Sequence, residues 1–118
     1  MIRVDTRPRK RNSPRPAHKS APGYLQWLRG RKCAADGHDL CDGRMEAAHV
    51  DHAGDKGVST KVSDKFAIPL CSDHHRRQHT KGWMTFEAEC LGGRSAVALA
   101  DAYWTMWPGR RAWEERNG

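Results

Sequence analysis

The sequence predicts a small α+β domain that a bound metal ion helps to fold. The chain has 118 residues, of which only 37% are hydrophobic. Short candidate strands and helices follow one another along it, and cysteines and histidines occur at spacings typical of metal ligands. A domain of this size buries little apolar surface, so a structural metal is a common additional source of stability. We therefore expect one domain at most.

The first 23 residues differ in composition from the rest of the chain. Six of the seven net positive charges fall within them, together with four prolines and few apolar residues. This composition predicts a disordered basic tail over residues 1–23, followed by a folded domain over residues 24–118. Cations of this kind suit a polyanion such as a nucleic acid backbone. The strongest candidates in the tail are Arg7, Arg9, Lys10 and Arg11.

Nothing in the sequence predicts a membrane segment. No N-terminal apolar run has signal-peptide length, and no stretch approaches the roughly 20 apolar residues needed to cross a bilayer. We therefore expect a cytoplasmic protein without a membrane partner. In a reducing compartment, the four cysteines are expected to be free or bound to metal rather than paired in disulfides.

The first predicted elements are one helix and two strands. The apolar residues of Tyr24–Leu28 predict a short helix. Arg44–Val50 and Ala67–Leu70 are the candidate strands, and Pro69 places the second one at a sheet edge. The polar segment between them, residues 51–66, is expected to be a long loop.

Three helices are predicted after the second strand. Serine and threonine hydroxyls accept hydrogen bonds from the first free amides of a helix, and glycine often ends one. We therefore expect helices over Asp73–Lys81 after Ser72, over Phe86–Leu91 after Thr85, and over Ala96–Met106 after Ser95. The motif core then covers about residues 33–82, and the C-terminal helices about 85–107.

Candidate metal ligands are densest in Cys71–His79. On a helix, His75 and His79 are four residues apart and share a face, whereas His74 points in another direction. The segment therefore divides into two sets. Cys71 with His74 has the spacing of half a zinc knuckle, and the other two histidines have the spacing of a pair that faces a second ion.

Cys33 and Cys41 can complete the first set. Thiolates combined with an imidazole favour zinc in tetrahedral geometry. The seven residues between these cysteines exceed the usual knuckle spacing of about two to four, so His38 stays open as a substitute for one of them. The competing interpretation is that the cysteines are buried apolar residues and His74 lies on the surface. Cys90 has no spaced partner and is assigned to the core.

The second set is typical of phosphodiester hydrolysis. This reaction needs a base for water and a cation that stabilises the developing charge. His49 at the end of a strand, opposite His75 and His79 on a helix, would supply both, with Asp64 on the loop between the strands.

Several cations lie close to these residues in the sequence. Arg76 and Arg77 project from the same predicted helix and suit a clamp on the neighbouring phosphate, while Lys61 is a weaker candidate. Packing rather than base stacking is expected for Trp83, Trp104, Trp107 and Trp113.

A combination of motif residues lies between Tyr24 and Glu87. In chain order they are Cys33, Cys41, Glu46–Val50, Gly57, Lys61, Ser63–Asp64, Ile68–Cys71, His74–His75 and His79–Gly82. In this combination they resemble the HNH endonucleases of the ββα-metal, treble-clef type. More narrowly, they resemble a small phage and prophage branch that includes a recombination-enhancing nuclease. The resemblance implies a two-stranded hairpin and a helix around a catalytic divalent ion, which is Mg²⁺, Mn²⁺ or Zn²⁺, and a separate structural Zn²⁺.

The resemblance also implies a role for each residue. His49 stands at the position of the general base, and Asp64 at that of the middle residue, which orients the base or binds the ion. His75 and His79 stand at the positions that hold the catalytic metal. The structural zinc positions are those of Cys33, Cys41, Cys71 and His74.

The chain departs from the family pattern in two places. Ala48 stands where many members carry a further metal ligand next to the base. Asp51–His52 offers a second register, because it reads literally as the Asp-His pair of the first motif. We prefer His49 because Glu46–Val50 and the later spacing to Asp64 fit together.

The predicted function is that of a metal-dependent HNH endonuclease that cuts DNA with little sequence preference, in phage recombination or DNA processing. RNA is the alternative substrate, phage or host recombination proteins are the expected partners, and the cytoplasm of a bacterium or of a phage-infected host is the expected location. A non-catalytic treble-clef zinc module that binds nucleic acid or protein is the alternative function. A third interpretation is an adaptor that docks through the helix from Ala96 onward.

Overall fold

The computed structural model describes residues 15–35, 41–53 and 61–117. Within these ranges the chain forms a two-stranded sheet, five α-helices and two short 3₁₀-helices, which confirms the predicted small α+β class. The elements are α1 (Pro22–Arg29), β1 (Met45–His49), β2 (Ala67–Cys71), α2 (Ser72–Lys81), α3 (Trp83–Cys90), α4 (Ala96–Met106) and α5 (Arg110–Asn117). The sequence-predicted Arg7, Arg9, Lys10, Arg11, His38 and Gly57 lie outside the described residues. None of the helices in the described ranges is long and apolar enough to span a bilayer.

The two strands form an antiparallel hairpin that supports the candidate site. Ala48 pairs with Ile68, and His49 pairs with Ala67. Because successive side chains of a strand point to opposite faces, Glu46 and Ala48 share one face of β1 and His49 lies on the other. In the described two-stranded sheet β2 is an edge strand, as Pro69 predicts, and its Pro69 carbonyl accepts from the Ala34 amide at 2.8 Å.

Two apolar clusters cover the hairpin. The first contains Ile68 and Leu70 of β2 and Phe86 of α3. The second is centred on Tyr24 of α1, whose ring meets Trp104 edge-on at a centroid distance of 5.0 Å and whose hydroxyl donates to the Ala67 carbonyl at 3.0 Å. Ala96, Ala100 and Trp104 of α4 are therefore buried within the domain.

Helix α5 was not predicted from the sequence. Its sequence is mostly polar and charged, and it follows Pro108 and Gly109, two residues that often end a helix. Trp113 nevertheless lies in the second cluster and donates from Nε1 to the Ser20 carbonyl at 2.7 Å. The packing prediction holds for the three buried tryptophans, Trp83, Trp104 and Trp113.

Two predicted helix starts need correction, and one is confirmed. Cys71, not Ser72, caps α2, because its sulfur accepts from the His74 amide. Helix α3 begins at Trp83 rather than after Thr85, since Gly82 at φ 84° turns the chain directly from α2 into α3. Ser95 caps α4 as predicted, and its hydroxyl accepts from the Ala98 amide at 3.2 Å.

The predicted tail boundary at residue 23 also needs correction. Ala17–Lys19 form a 3₁₀-helix, and α1 already begins at Pro22, which suits the first turn of a helix. Arg15 donates from Nε to the Val62 carbonyl at 2.8 Å. From Arg15 onward the chain therefore packs on the domain. Composition alone missed this, because backbone and polar contacts rather than apolar ones hold the segment.

Candidate metal centre and histidine groups

The four predicted zinc ligands lie together in one cluster. The ligand atoms of Cys33, Cys41, Cys71 and His74 are all within 4.8 Å of one another. His74 Nδ1 lies 3.2 Å from the sulfur of Cys71, 3.5 Å from that of Cys33 and 3.7 Å from that of Cys41. In tetrahedral zinc sites, Zn–S and Zn–N bonds of about 2.3 and 2.0 Å place such donors about 3.5 Å apart. This set could therefore hold a metal ion without rearrangement.

Local backbone contacts bring the two halves of the cluster together. The Cys71 amide donates to the sulfur of Cys33 at 3.3 Å, and the His74 amide donates to that of Cys71 at 3.4 Å. Gly43, at φ 83°, turns the chain between Cys41 and β1, where a Cβ would overlap Ser72 Oγ. The amides of Cys71 and His74 thus donate to the sulfurs of Cys33 and Cys71 and favour their ionised form.

The pKa values of the three thiols show that a cation suits this cluster. Burial raises the pKa of Cys33, and desolvation together with the neighbouring thiols raises that of Cys41. For Cys71, burial acts in the same direction, but the amides of His74 and Asp42 outweigh it and lower the pKa. Three thiolates at this separation repel one another, so a divalent cation is the natural partner that allows all of them to ionise.

The fourth cysteine lies elsewhere. Cys90 is 1% exposed at the end of α3 and belongs to the first apolar cluster. Its assignment to the core agrees with the prediction.

His49 forms a close pair with a buried carboxylate. Its Nε2 lies 2.8 Å from Asp64 Oδ1. Asp64 is only 3% exposed, and its Oδ2 accepts from the Ala21 amide at 2.8 Å. The Nε of Arg15 also lies 3.4 Å from Oδ1 of Asp64. The carboxylate is thus held from both sides, and it orients the imidazole.

Asp64 is ionised at neutral pH in this environment. Burial acts to raise its pKa, but the hydrogen bonds from His49 and Ala21 and the positive charges of His49 and Arg15 lower it overall below its ordinary value of 3.8. A lowered pKa means that the carboxylate stabilises the fold at any pH above its ordinary value and loses this effect only as the pH falls through the folded-state value.

Glu46, on the opposite face of β1, makes a second histidine group. Its Oε1 lies 2.7 Å from His75 Nδ1, and the rings of His75 and His79 are 4.9 Å apart between centroids. The sequence interpretation gave Glu46 no role in the site. The sequence could have predicted this contact, however, because strand alternation directs the side chain of an acidic residue at this position toward the helix that carries both histidines.

The two histidine groups do not merge into one ligand cluster. Among the residues that the structure describes, the Cys₃His set is the one group of three or more histidine, cysteine or acidic side chains arranged to hold an ion. His49 contacts Asp64, and His75 contacts Glu46 across the hairpin. The structure therefore places the predicted base and the predicted metal ligands in two separate groups, on opposite faces of β1.

Residues 2–100 match a family described as "Protein of unknown function (DUF968)". The chain belongs to this family. The match includes the Cys₃His cluster and both histidine groups of this DUF968 protein. The uncharacterized protein YdfU of Escherichia coli (strain K12) is 35% identical over 57 residues, which are 48% of the present chain and 15% of YdfU. The DUF968 chain thus spans a small part of that relative. No solved structure matches it.

The predicted phosphate contacts of the DUF968 protein differ in accessibility. The side chain of Arg76 is 74% exposed and lies 3.7 Å from Asp73. Arg77 is 33% exposed, shares that carboxylate and donates to Cys90 Sγ at 3.8 Å. Lys61 is exposed. Arg76 is therefore the more accessible of the two arginines on α2.

The rival register at Asp51–His52 receives no support from the geometry. His52 is exposed, and its ring lies 6.3 Å from that of Trp83. The buried carboxylate of Asp64 contacts His49 instead, at 2.8 Å from its Nε2.

Replacing Asp64 with asparagine is expected to destabilise the DUF968 domain by about 1 to 3 kcal/mol at pH 7, because it removes a charge-assisted hydrogen bond from a buried network. Urea unfolding followed by circular dichroism measures this loss. Asp101→Asn is the matched control, since Asp101 is an exposed acid on α4. Equal stability of the two variants would contradict the structural role of Asp64.

Proposed function

We propose that this DUF968 protein is a metal-dependent HNH-type endonuclease of the ββα-metal, treble-clef class, which hydrolyses DNA phosphodiester bonds with little sequence specificity in phage or host DNA processing. The observation that carries the proposal is the His49–Asp64 pair, in which a buried carboxylate forms a hydrogen bond with a partly exposed histidine. A buried charge is costly to keep. Perturbed carboxylate–histidine pairs of this kind are enriched at catalytic sites.

In this proposal His49 is the general base. Asp64 accepts a hydrogen bond from the protonated Nε2 of His49. The other ring nitrogen, Nδ1, is then the basic one. No hydrogen bond of Nδ1 is present in the part of the chain that the structure describes, and the side chain is 23% exposed. Nδ1 is thus open to accept a proton from water as the water attacks phosphorus.

His75 and His79 are the proposed protein ligands of the catalytic ion. Glu46 holds Nδ1 of His75 and leaves its Nε2 for coordination, as a second-shell carboxylate does for a metal-bound histidine. When bound, the divalent ion, Mg²⁺, Mn²⁺ or Zn²⁺, stabilises charge on the phosphate and on the leaving oxygen. The nucleophile and the leaving oxygen of an in-line displacement lie on opposite sides of phosphorus. In this proposal the His49 group would serve the attacking water, and an ion on His75 and His79 would serve the leaving oxygen.

The proposed DNA contacts are to phosphates. Arg76 is exposed on the helix that carries His75 and His79, Arg77 lies on the same helix, and Lys61 is exposed three residues before Asp64 in the sequence. The basic residues Arg7, Arg9, Lys10 and Arg11 precede the described domain and add charge. Phosphate contacts position the duplex but carry no direct sequence information. This agrees with cleavage of low sequence specificity.

The proposed structural ion is Zn²⁺ in the Cys₃His cluster. Thiolate and imidazole donors in tetrahedral positions select it, and all four ligands are protein atoms, as in closed structural sites. This ion would join the Cys33–Cys41 segment to the start of α2 and so hold the catalytic helix against the hairpin.

The test is cleavage of supercoiled plasmid DNA by the purified, zinc-loaded protein with added Mg²⁺, Mn²⁺ or Zn²⁺. Nicked and linear products are expected, with loss of activity when the added ion is chelated. His79→Ala should reduce the rate by about 10- to 100-fold through lost metal affinity. Glu115→Ala is the control, because Glu115 is exposed on α5 and lies outside both histidine groups. Absence of cutting with every ion, or equal rates for His79→Ala and wild type, would contradict the proposal.

One observation favours the alternative, a non-catalytic treble-clef zinc module that binds nucleic acid or protein. Within the described residues, only the Cys₃His cluster supplies a complete set of protein ligands. The metal content separates the two functions. A single zinc per chain with DNA binding but no cleavage supports the module, whereas a second ion that is lost in His79→Ala supports the nuclease.

A further inference from the structure

The segment Arg15–Ala21, here called the strap, lies against the loop that carries Asp64. Arg15 Nε donates to the Val62 carbonyl at 2.8 Å, and Lys19 Nζ donates to the Lys61 carbonyl at 3.1 Å. At its end, the Ala21 amide donates to Asp64 Oδ2 at 2.8 Å. These partners are more than 40 residues away in the sequence, so the strap closes over this loop as a tertiary contact.

Two strap groups contact the carboxylate that serves His49. Oδ1 of Asp64 faces both His49 Nε2 at 2.8 Å and Arg15 Nε at 3.4 Å, while Oδ2 is held by Ala21. The side chain of Arg15 is 23% exposed and that of Asp64 is 5% exposed. A carboxylate fixed at both oxygens cannot rotate away from the imidazole. The orientation of His49 therefore depends on residues that precede the predicted domain boundary.

The position of Arg15 is more specific than that of an ordinary surface cation. A solvated arginine gains little from a distant carboxylate. Arg15 instead uses one nitrogen to bridge the Val62 carbonyl and Asp64, two residues apart in the same loop. This arrangement fixes the loop backbone and the carboxylate in one geometry.

We propose that Arg15 is a positioning residue for the reaction, acting through Asp64 to hold His49 with its Nδ1 directed at the water. This inference rests on the proposed nuclease function. The strap then belongs to the catalytic apparatus rather than to a DNA-binding tail. Arg15 touches neither water nor phosphate in this role, so its loss should affect turnover rather than substrate binding.

The experiment compares the full-length chain with Arg15→Ala, Arg15→Lys and the charge-matched control Arg111→Ala, since Arg111 is exposed on α5. Plasmid cleavage yields kcat and KM. Nitrogen-15 NMR of the histidine rings reports which nitrogen of His49 carries the proton, and zinc content with circular dichroism verifies the fold. For Arg15→Ala we expect roughly a tenfold lower kcat with unchanged KM, as for other groups that orient a catalytic histidine. The His49 proton should no longer be confined to Nε2, and Arg15→Lys should recover part of both effects.

Each outcome decides the inference. A raised KM at constant kcat would make Arg15 a phosphate contact and overturn it, as would no change in either value. If Arg15→Ala fails to fold, Arg15→Gln supplies the same comparison. If the wild-type protein cuts no DNA, the proposed function fails separately, and the His49 ring signals still decide whether Arg15 positions that histidine.

Discussion

His49→Ala is expected to lower the rate of DNA cleavage by about 10²- to 10⁴-fold, the usual contribution of a general base. The side chain lies at the end of β1, outside both apolar clusters, and its contact is with Asp64. Its removal therefore takes away the proton acceptor without opening the core. The metal cluster is formed by other residues and should stay intact.

The measurement is single-turnover cleavage of plasmid or single-stranded DNA, together with zinc content and thermal unfolding of the variant. His52→Ala is the matched comparison, because it removes the rival histidine three residues along the chain. We expect His52→Ala to cut at close to the wild-type rate. Loss of activity in His52→Ala with an active His49→Ala would instead establish the second register at Asp51–His52.

Removing the metal from the Cys₃His cluster is expected to unfold the domain. Structural zinc contributes about 10 to 16 kcal/mol of apparent binding free energy in small zinc-binding peptides. This exceeds or equals the total stability of an ordinary domain, about 5 to 15 kcal/mol. Here the ion would also neutralise the thiolates of Cys33 and Cys41, whose pKa values are raised chiefly by burial. Loss of the metal ion should therefore be enough to unfold the domain.

Cys71→Ser tests this most directly, since Cys71 ends β2, caps α2 and lies 3.2 Å from His74 Nδ1. We expect loss of bound zinc and of the cooperative thermal transition, measured by elemental analysis and calorimetry. A strong chelator should produce the same result in the wild type. Cys90→Ser is the control, because Cys90 is equally buried but lies outside the cluster, and it should keep its zinc. A fully stable, zinc-free Cys71→Ser protein would contradict the structural role.

Local sequence signals predicted most of the elements. The strands around His49 and Pro69 lie within a residue or two of their predicted ends, and Ser95 marks the start of α4. Such signals depend on side-chain alternation, proline and capping hydroxyls, which act over a few residues. Helix α5 carried no comparable signal. It is held by Trp113, whose partner Ser20 lies at the other end of the chain.

The four metal ligands could be proposed from residue type and spacing, because two Cys/His pairs have little other use together in a small chain. Sequence could not exclude His38 as a ligand, since the interval between Cys33 and Cys41 is unusual. The structure places the Cys41 sulfur 3.7 Å from His74 Nδ1, while His38 lies outside the described residues. The His74 amide at the start of α2 donates to the Cys71 sulfur, a contact that residue spacing alone does not specify.

By itself, the sequence determined the small α+β class and the grouping of Cys71 with His74 in one ligand set, and it predicted a second set at His75 and His79 and a candidate base. Each follows from periodicity and residue chemistry within a short window. Only the tertiary structure decided which carboxylate serves which histidine: Asp64 for His49 and Glu46 for His75. It also showed that Arg15 and Ala21 hold Asp64. These contacts join segments 15 to 49 residues apart, and their geometry is set by packing of the whole domain, which no local pattern encodes.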